Sequence, residues 1–311
     1  MIHKIVWPVC PVNAEVYAAI ASIFRESRDY SKLLPHDRDR ITQLANDINA
    51  EERAHARAHA PTHSGNNQSD SSAVYDRIIV PVEQIMAIRN VILKDKIIKN
   101  YKRMNQIIPK IVKKYESGED IIKLSRSFDF PPMNLLRGIF LFRGMDPQRV
   151  YSVFANKTDP SKLLSTRDLK QYWEAEQNDA ESTFNQQIAA RIAEENEALF
   201  VSFLTRAGIS LTTQAKLVAE QMKEHGRAIA TPDVLFNDEV FINGNLIKWI
   251  DYKDYIGTNV NFLYRSNLEQ VNRYEKIWGP GALCYHRSFV EGLTISSAML
   301  LDTSAMNLKF K

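Results

Sequence analysis

The chain has 311 residues, 44% hydrophobic, 10% aromatic and 25% charged, with Lys+Arg 40 against Asp+Glu 37 and a formal charge of +3. At roughly 100–200 residues per domain this length predicts about two domains with apolar material enough for real cores, which excludes a wholly disordered chain. No run approaches the roughly 20 consecutive apolar residues that span a bilayer, and Met1 to Pro8 lacks the unbroken apolar core of a secretory signal, so a soluble intracellular protein with no membrane association is expected.

In chain order, the first 60 residues read as helices: Asn13 to Arg25 carries apolar residues at helical spacing, and Arg38 to His59 is rich in helix formers. Pro61 to Ser72 is Pro, Gly, Asn, Gln and Ser with almost nothing to bury, and reads as a flexible linker. Helical periodicity resumes near Val80 and runs with breaks to about Leu204, Asp159-Pro160 and Glu174 to Glu181 marking surface connections. After Gly208 the pattern changes. Thr231 to Phe236 and Glu239 to Asp251 favour strand, with Asn243-Gly244 as the turn signal, and Leu246, Lys248 and Ile250 alternate with Ile247, Trp249 and Asp251. A helix is predicted over Phe262 to Trp278, stopped by Gly279-Pro280-Gly281, and a further strand over Ala282 to Phe289. The fold class expected is α+β and multidomain: an all-α half, then an α/β core with a small mixed sheet. Its boundaries fall at 1–60 (helical), 61–73 (linker), 74–185 (basic helical) and 186–311 (α/β core).

Lys94 to Tyr115 holds eight basic residues against Asp95 alone, a formal +7 that attracts polyphosphate. Just downstream, Asp120 to Ser127 and Pro132 to Phe142 read as two short helices joined by a tight turn at Phe128 to Pro131. Ile121, Leu124, Phe128, Leu135, Leu136 and Ile139 would form the shared core of a helix-turn-helix. The second helix would present Met133, Asn134 and Arg137 outward, while Lys110, Lys113, Lys114 and Arg126 hold phosphates. Nothing in this pattern separates DNA from RNA.

The chemistry-bearing constellation is Thr231-Pro232-Asp233 followed by Asp251-Tyr252-Lys253. Side chains alternate across a strand, so Asp251 and Lys253 face one way and Asp233 on the adjoining strand reaches the same spot. Asp233, Asp251 and the Tyr252 carbonyl offer the hard oxygens that Mg²⁺ or Mn²⁺ takes. Lys253 can then orient or help deprotonate a water nucleophile, or balance charge developing on a phosphate. Glu197 opens a helix with Phe200, Leu204 and Gly208 at +3, +7 and +11, which seats it on a sheet and leaves the glutamate at the sheet's edge, to bind metal or its water. Glu194, Glu195 and Glu220 compete for that role.

Glu197, Pro232-Asp233, Asp251-Tyr252-Lys253 and a helix bearing Gln270 together resemble the PD-(D/E)xK nuclease superfamily, especially the archaeal Holliday-junction resolvases. A narrower resemblance rests on Glu220, TPDVLF at Thr231 to Phe236, the Asn243-Gly244 turn, WIDYK at Trp249 to Lys253, Gly257, and LEQVNRYEKIWGPGA at Leu268 to Ala282. These are similar to the TPD-motif family whose animal member is the codanin-1-interacting nuclease. AHARAH at Ala54 to His59 and FDFPPMNLLRGIFL are similar to that family's amino-terminal half, so the resemblance covers roughly residues 50 to 290. It implies a restriction-endonuclease-like core with Glu197, Asp233, Asp251 and Lys253 in the metal and catalytic positions and Gln270 facing the site. DNA would be the substrate, a codanin-1-like protein a partner, and the nucleus the favoured location over the cytoplasm. The animal family has glutamate where this chain has Asp251, and the shorter arm changes metal reach. Pro61 to Ser72 and Asp159 to Asn196 align poorly, and nothing is carried over there. The oligomeric state is left open, a dimer included.

Cys10 and Cys284 are too few for a disulfide framework, and neither has the basic surroundings of an activated thiolate. His55, His59 and His63 are spaced by four, but Pro61 interrupts the helix that would align them on a metal. His225 and His286 show no triad partner. Trp249, Phe262, Tyr264, Tyr274 and Trp278 read as packing rather than a base-stacking platform.

Overall fold

A computed structural model describes residues 1–31, 39, 42, 43, 46, 47, 50 and 80–306. The expectations for Pro61 to Ser72, for AHARAH and for His55, His59 and His63 lie outside these residues, as does most of Arg38 to His59. The helices are α1 (Ala14–Glu26), α2 (Val82–Glu116), α3 (Ile121–Phe128), α4 (Pro132–Phe142), α5 (Pro147–Phe154), α6 (Thr166–Asn178), α7 (Thr183–Arg206), α8 (Gln214–His225) and α9 (Asn261–Trp278). The strands are β1 (Ile2–Ile5), β2 (Leu211–Thr213), β3 (Val234–Ile242), β4 (Asn245–Lys253), β5 (Gly281–Tyr285) and β6 (Met299–Asp302). The architecture is α+β with a mixed six-stranded sheet. Among the described residues, 1–21, 39, 42, 43, 46, 47, 50, 80–91 and 194–306 belong to one compact unit, and 22–31 and 92–193 to a second. No helix among them is long and apolar enough to cross a membrane.

In the sheet unit the strand order is β1-β3-β4-β5-β6, with β2 also on β3. β3 and β4 form an antiparallel hairpin, whose turn places Asn243 at φ 48° and Gly244 at φ 84°. Two successive left-handed residues give the turn whose twist matches its strands, which is why Asn-Gly reads as a hairpin. β4 pairs parallel with β5, and a parallel return needs a long crossover, which α9 supplies. Both faces are covered. Phe200 and Leu204 of α7 cluster with Val234, Ile250, Tyr252 and Cys284, while Val271 and Tyr274 of α9 cluster with Trp249, Leu283 and Tyr285. Hence Trp249 through Tyr252 are all buried, as in a central strand. Opposite Trp249 the chain carries Gly281, where a Cβ would lie 2.0 Å from the indole ring.

The helical reading of the first 60 residues needs correcting at Ile2–Ile5. This strand lies parallel to the end of β3, Ile2 opposite Glu239. It is held by partners far along the chain: the Met1 ammonium pairs with Asp238 at 2.9 Å, and Trp7 Nε1 donates to the Asp302 carbonyl at 2.8 Å. Four residues at an edge, stabilised from more than 230 positions away, leave no local pattern. β2 and β6, of three and four residues, are too short to show strand alternation, and the strand expected over Ala282 to Phe289 ends at Tyr285.

The helical unit matches the expected hairpin closely. Asp120 caps α3 by accepting from the Ile122 and Lys123 N–H groups, and Asp129 at φ 53° ends it. Ile121, Leu124, Leu135, Leu136 and Ile139 are buried together, with Phe128 packed against them. Met133, expected outward, is buried. Pro131 at the α4 cap has no side-chain acceptor, so the buried Asp179 accepts from the Met133 N–H at 3.0 Å and draws that end of the helix inward. Asn134 is half-buried and Arg137 exposed, its guanidinium 5.2 Å from the centre of the Phe154 ring. The +7 run is partly consumed by structure. Lys96 is buried against Asp129 at 2.9 Å, Lys99 pairs with Asp95 at 2.6 Å, Lys114 with Glu119 at 2.7 Å, and Arg103 donates to the Phe128 carbonyl at 3.1 Å. Lys94, Lys102, Lys110 and Lys113 remain exposed.

Candidate active site

Asp233 sits one residue before β3, and the register that pairs Val234 with Ile250 sets it beside Asp251. Its Oδ2 accepts from the Tyr252 N–H at 2.7 Å and its Oδ1 from Gln214 Nε2 at 3.1 Å. Asp251 and Lys253, two apart on β4, pair through Asp251 Oδ2 and the ammonium. Gln270, at the third turn of α9, joins the two: Lys253 Nζ donates to its Oε1 at 2.6 Å, and its Nε2 faces Asp251 Oδ1 at 3.4 Å. The same Nε2 donates to Tyr274 Oη at 3.0 Å, and Tyr274 Oη donates to the Thr231 carbonyl at 3.1 Å. A glutamine at i and a tyrosine at i+4 share a helix face, so one face of α9 ties the metal-type carboxylate, the lysine and the TPD turn together.

Glu197 is half-buried on the wall of a cleft of about 460 Å³ that Asp233, Glu194, Thr213 and Gln214 also line. Burial pushes the Glu197 carboxyl up, with Asp251 and then Glu194 adding to the rise. Burial likewise pushes Asp233 up to about 8, reinforced by Asp251 and Glu197 and opposed by the Tyr252 N–H and Lys253. Asp251 is driven upward by burial against the pull of Lys253 and Arg273. For Lys253 burial works against the charge, but the Asp251 carboxylate outweighs it and the ammonium is pushed up to about 12. Three mutually repelling carboxyls with one ammonium form a site whose surplus negative charge a hard cation would offset. The donor chemistry therefore suits Mg²⁺ or Mn²⁺. Among the described residues, however, no group of three or more His, Cys, Asp or Glu side chains is close enough to hold a metal ion. Asp233 and Asp251 are thus the adjacent pair, and Glu197 stands off on the cleft wall.

Glu220 is left outside this cluster: it is exposed on α8, 4.0 Å from Lys216. Glu194 and Glu195 are exposed, although Glu194 reaches the cleft. Tyr252 contributes its N–H to Asp233, and its ring packs 5.2 Å from that of Phe200. His225 lies exposed at the end of α8, whereas His286 is buried with Nε2 4.0 Å from Asp254 Oδ1, and burial drives its imidazole down to about 3. Cys284 is buried in the sheet and Cys10 exposed, both as free thiols.

Sequence reasoning missed four partners. Gln214 steadies Asp233, and Tyr274 steadies Gln270. Asn196, buried and immediately before Glu197, donates to Asp254, immediately after Lys253, at 2.9 Å, so a half-buried hydrogen bond ties the helix carrying Glu197 to the end of the strand carrying Asp251 and Lys253. Asn196 and Asp254 adjoin candidate residues and Tyr274 lies one helical turn from Gln270, which were the available signals; Gln214 offered none.

The sequence model of the family described as "Protein of unknown function TPD sequence-motif" matches residues 165–304. That match supports the TPD family. It spans Glu197, Asp233, Asp251, Lys253 and Gln270, and it begins within the stretch Asp159 to Asn196 from which nothing had been carried over. Among curated proteins, the uncharacterized protein L539 of Acanthamoeba polyphaga mimivirus is 28% identical over 115 residues, covering 36% of this chain. The match spans about two fifths, 40%, of that relative's length. No solved structure matches the chain.

Proposed function

We propose that the sheet unit is a restriction-endonuclease-like, PD-(D/E)xK-type core that hydrolyses phosphodiester bonds of DNA, including structured or branched DNA, with Mg²⁺ or Mn²⁺. The observation that carries this reading is the Asp233, Asp251, Lys253 and Gln270 network in the register of a TPD turn and a D-x-K strand. Asp233, Asp251 and the Tyr252 carbonyl would hold the cation, with Glu197, which stands off on the cleft wall, reaching the cation or its water; the cation when bound would polarise the scissile phosphate and a water. Lys253, held cationic by Asp251, acts as a charge stabiliser for the phosphate rather than as the base that takes the water's proton. Gln270 keeps the ammonium and Asp251 in fixed register, and Gln214 does the same for Asp233. The helical unit would bind DNA through Lys110, Lys113, Lys114, Arg126, Asn134 and Arg137, with Lys114 contributing less because Glu119 already pairs with it. Action on DNA favours the nucleus over the cytoplasm.

A second reading is a non-catalytic DNA-binding or scaffold protein whose nuclease-like surface docks a codanin-1-like partner. The engagement of both Asp251 oxygens by Lys253 and Gln270 favours it. Purified full-length protein incubated with labelled branched, flap and linear DNA separates the two. The nuclease reading expects divalent-dependent cleavage that Asp251→Ala lowers by roughly 10²-fold or more and Lys253→Ala by roughly 10²- to 10³-fold. Cleavage unchanged in both variants removes the assignment, and absence of cleavage on every substrate favours the scaffold.

A further inference from the structure

In the helical unit, a cavity of about 550 Å³ is lined by Arg28, Asp120, Lys123, Arg126, Ser127 and Glu174, among others. Arg28, Lys123, Arg126 and Ser127 are exposed. The two arginines and the lysine have no hydrogen-bond or ion-pair partner for their side chains among the described residues. The acids on the same wall, Asp120 and Glu174, accept from neutral donors, so three cations formally face two carboxyls and the wall is left net basic. Asp120 Oδ1 accepts from the Ile122 and Lys123 N–H groups at 2.7 and 3.3 Å, and Asp120 Oδ2 and Glu174 Oε2 both accept from Gln171 Nε2, at 3.2 and 3.0 Å. Three unpaired cations thus converge from two distant stretches of chain, the segment after α1 and the exposed side of α3. An adjoining smaller cavity shares Arg28 and Arg126 and extends to Pro132, where α4 begins.

We infer that this cavity is a seat for the sugar-phosphate backbone of a nucleic acid, with Arg28 and Arg126 gripping phosphate oxygens and Lys123 adding point charge. Guanidinium forks match phosphate geometry in pairs, whereas lysine acts as a compact charge, and three of them with a hydroxyl beside them suit successive phosphates better than one isolated ion. The seat lies on the first helix of the hairpin rather than the second, and Arg28 and Lys123 join Arg126 in a role that α2 lysines alone do not fill. This deepens the proposed DNA binding and rests on it.

The test is fluorescence anisotropy of a labelled short DNA duplex with the full-length protein over a salt series. Neutralising all three residues, as Arg28→Ala, Lys123→Ala and Arg126→Ala together, is expected to weaken binding roughly 10- to 100-fold for any base sequence. It should also lower the slope of log affinity against log salt by about two to three. Restoring charge with Arg28→Lys and Arg126→Lys in place of alanine is expected to recover most of the slope, which loss of folding would not allow. Affinity and slope unchanged in the triple alanine variant overturn the inference while leaving DNA binding intact. If the wild-type protein binds no duplex at all, the DNA-binding reading itself falls. Displacement of duplex from the wild type by a phosphoserine peptide at equal charge concentration, absent in the variant, would overturn the seat's assignment in favour of a phosphoprotein.

Discussion

Replacing Lys253 with Met is expected to destabilise the sheet unit by about 3–5 kcal/mol at neutral pH, because it leaves the Asp251 carboxylate, 1% exposed, without its ammonium. The same change takes the donor from Gln270 Oε1 and loosens the link to Tyr274 and the Thr231 carbonyl. An isolated buried carboxyl can escape part of the cost by taking up a proton, so the penalty should shrink as pH falls toward 5. The double variant Asp251→Asn, Lys253→Met replaces both charges with neutral groups of similar size and is expected to recover most of the lost stability while remaining inactive. Urea midpoints of the three proteins at pH 5 and pH 8 check this. A single variant as stable as wild type, or a double variant no better than the single, would mean that the pair is not a buried ion pair.

Asp233 is expected to make the metal-free protein less stable as pH rises. Its folded carboxyl sits at about 8 against the usual aspartate value of 3.8. Between these values the folded state holds a proton that the unfolded state has released, so unfolding stability falls with rising pH, by at most about 1.4 kcal/mol per pH unit for this one group. The cost is fully developed only above pH 8 and absent below 3.8. Asp233→Asn removes that proton's share, because an amide cannot ionise. Its stability at pH 8 should exceed that of wild type, with the curves converging near pH 4, although the amide must still present its oxygen to the Tyr252 N–H. Such a gain on removing an acidic site residue is the usual cost of function appearing in reverse. Parallel pH curves for the two proteins would show that Asp233 is not strained by its neighbours.

Elements with strong local signals were legible in the sequence. The Asn243-Gly244 hairpin, α9 with its glycine stop, and the α3–α4 hairpin fall within a few residues of their expected places, because turn chemistry and helical periodicity are local. Asp233, Asp251 and Lys253 were legible as a set because strand alternation and one hairpin suffice to gather them, whereas Gln270 came only from the resemblance. What escaped depended on distant partners. Ile2–Ile5 becomes a strand only against β3, the Met133 end of α4 is held by Asp179, 46 residues away, and Glu220, nearer the strand in sequence than Glu197, ends up on the exposed side of α8. The basic run looked stronger as composition than it is in the fold, since Asp95, Glu119 and Asp129 take up three of its lysines.

Calorimetric titration of the protein with Mn²⁺ at neutral pH tests, without needing a substrate, the proposal that this buried acidic cluster holds a divalent cation. Saturable binding is expected, with an enthalpy that changes with buffer because the cation displaces the proton held by the Asp233 cluster, and Asp233→Asn and Asp251→Asn should each abolish it. Wild-type protein that takes up no Mn²⁺, or variants that bind it as well as wild type, would contradict the claim.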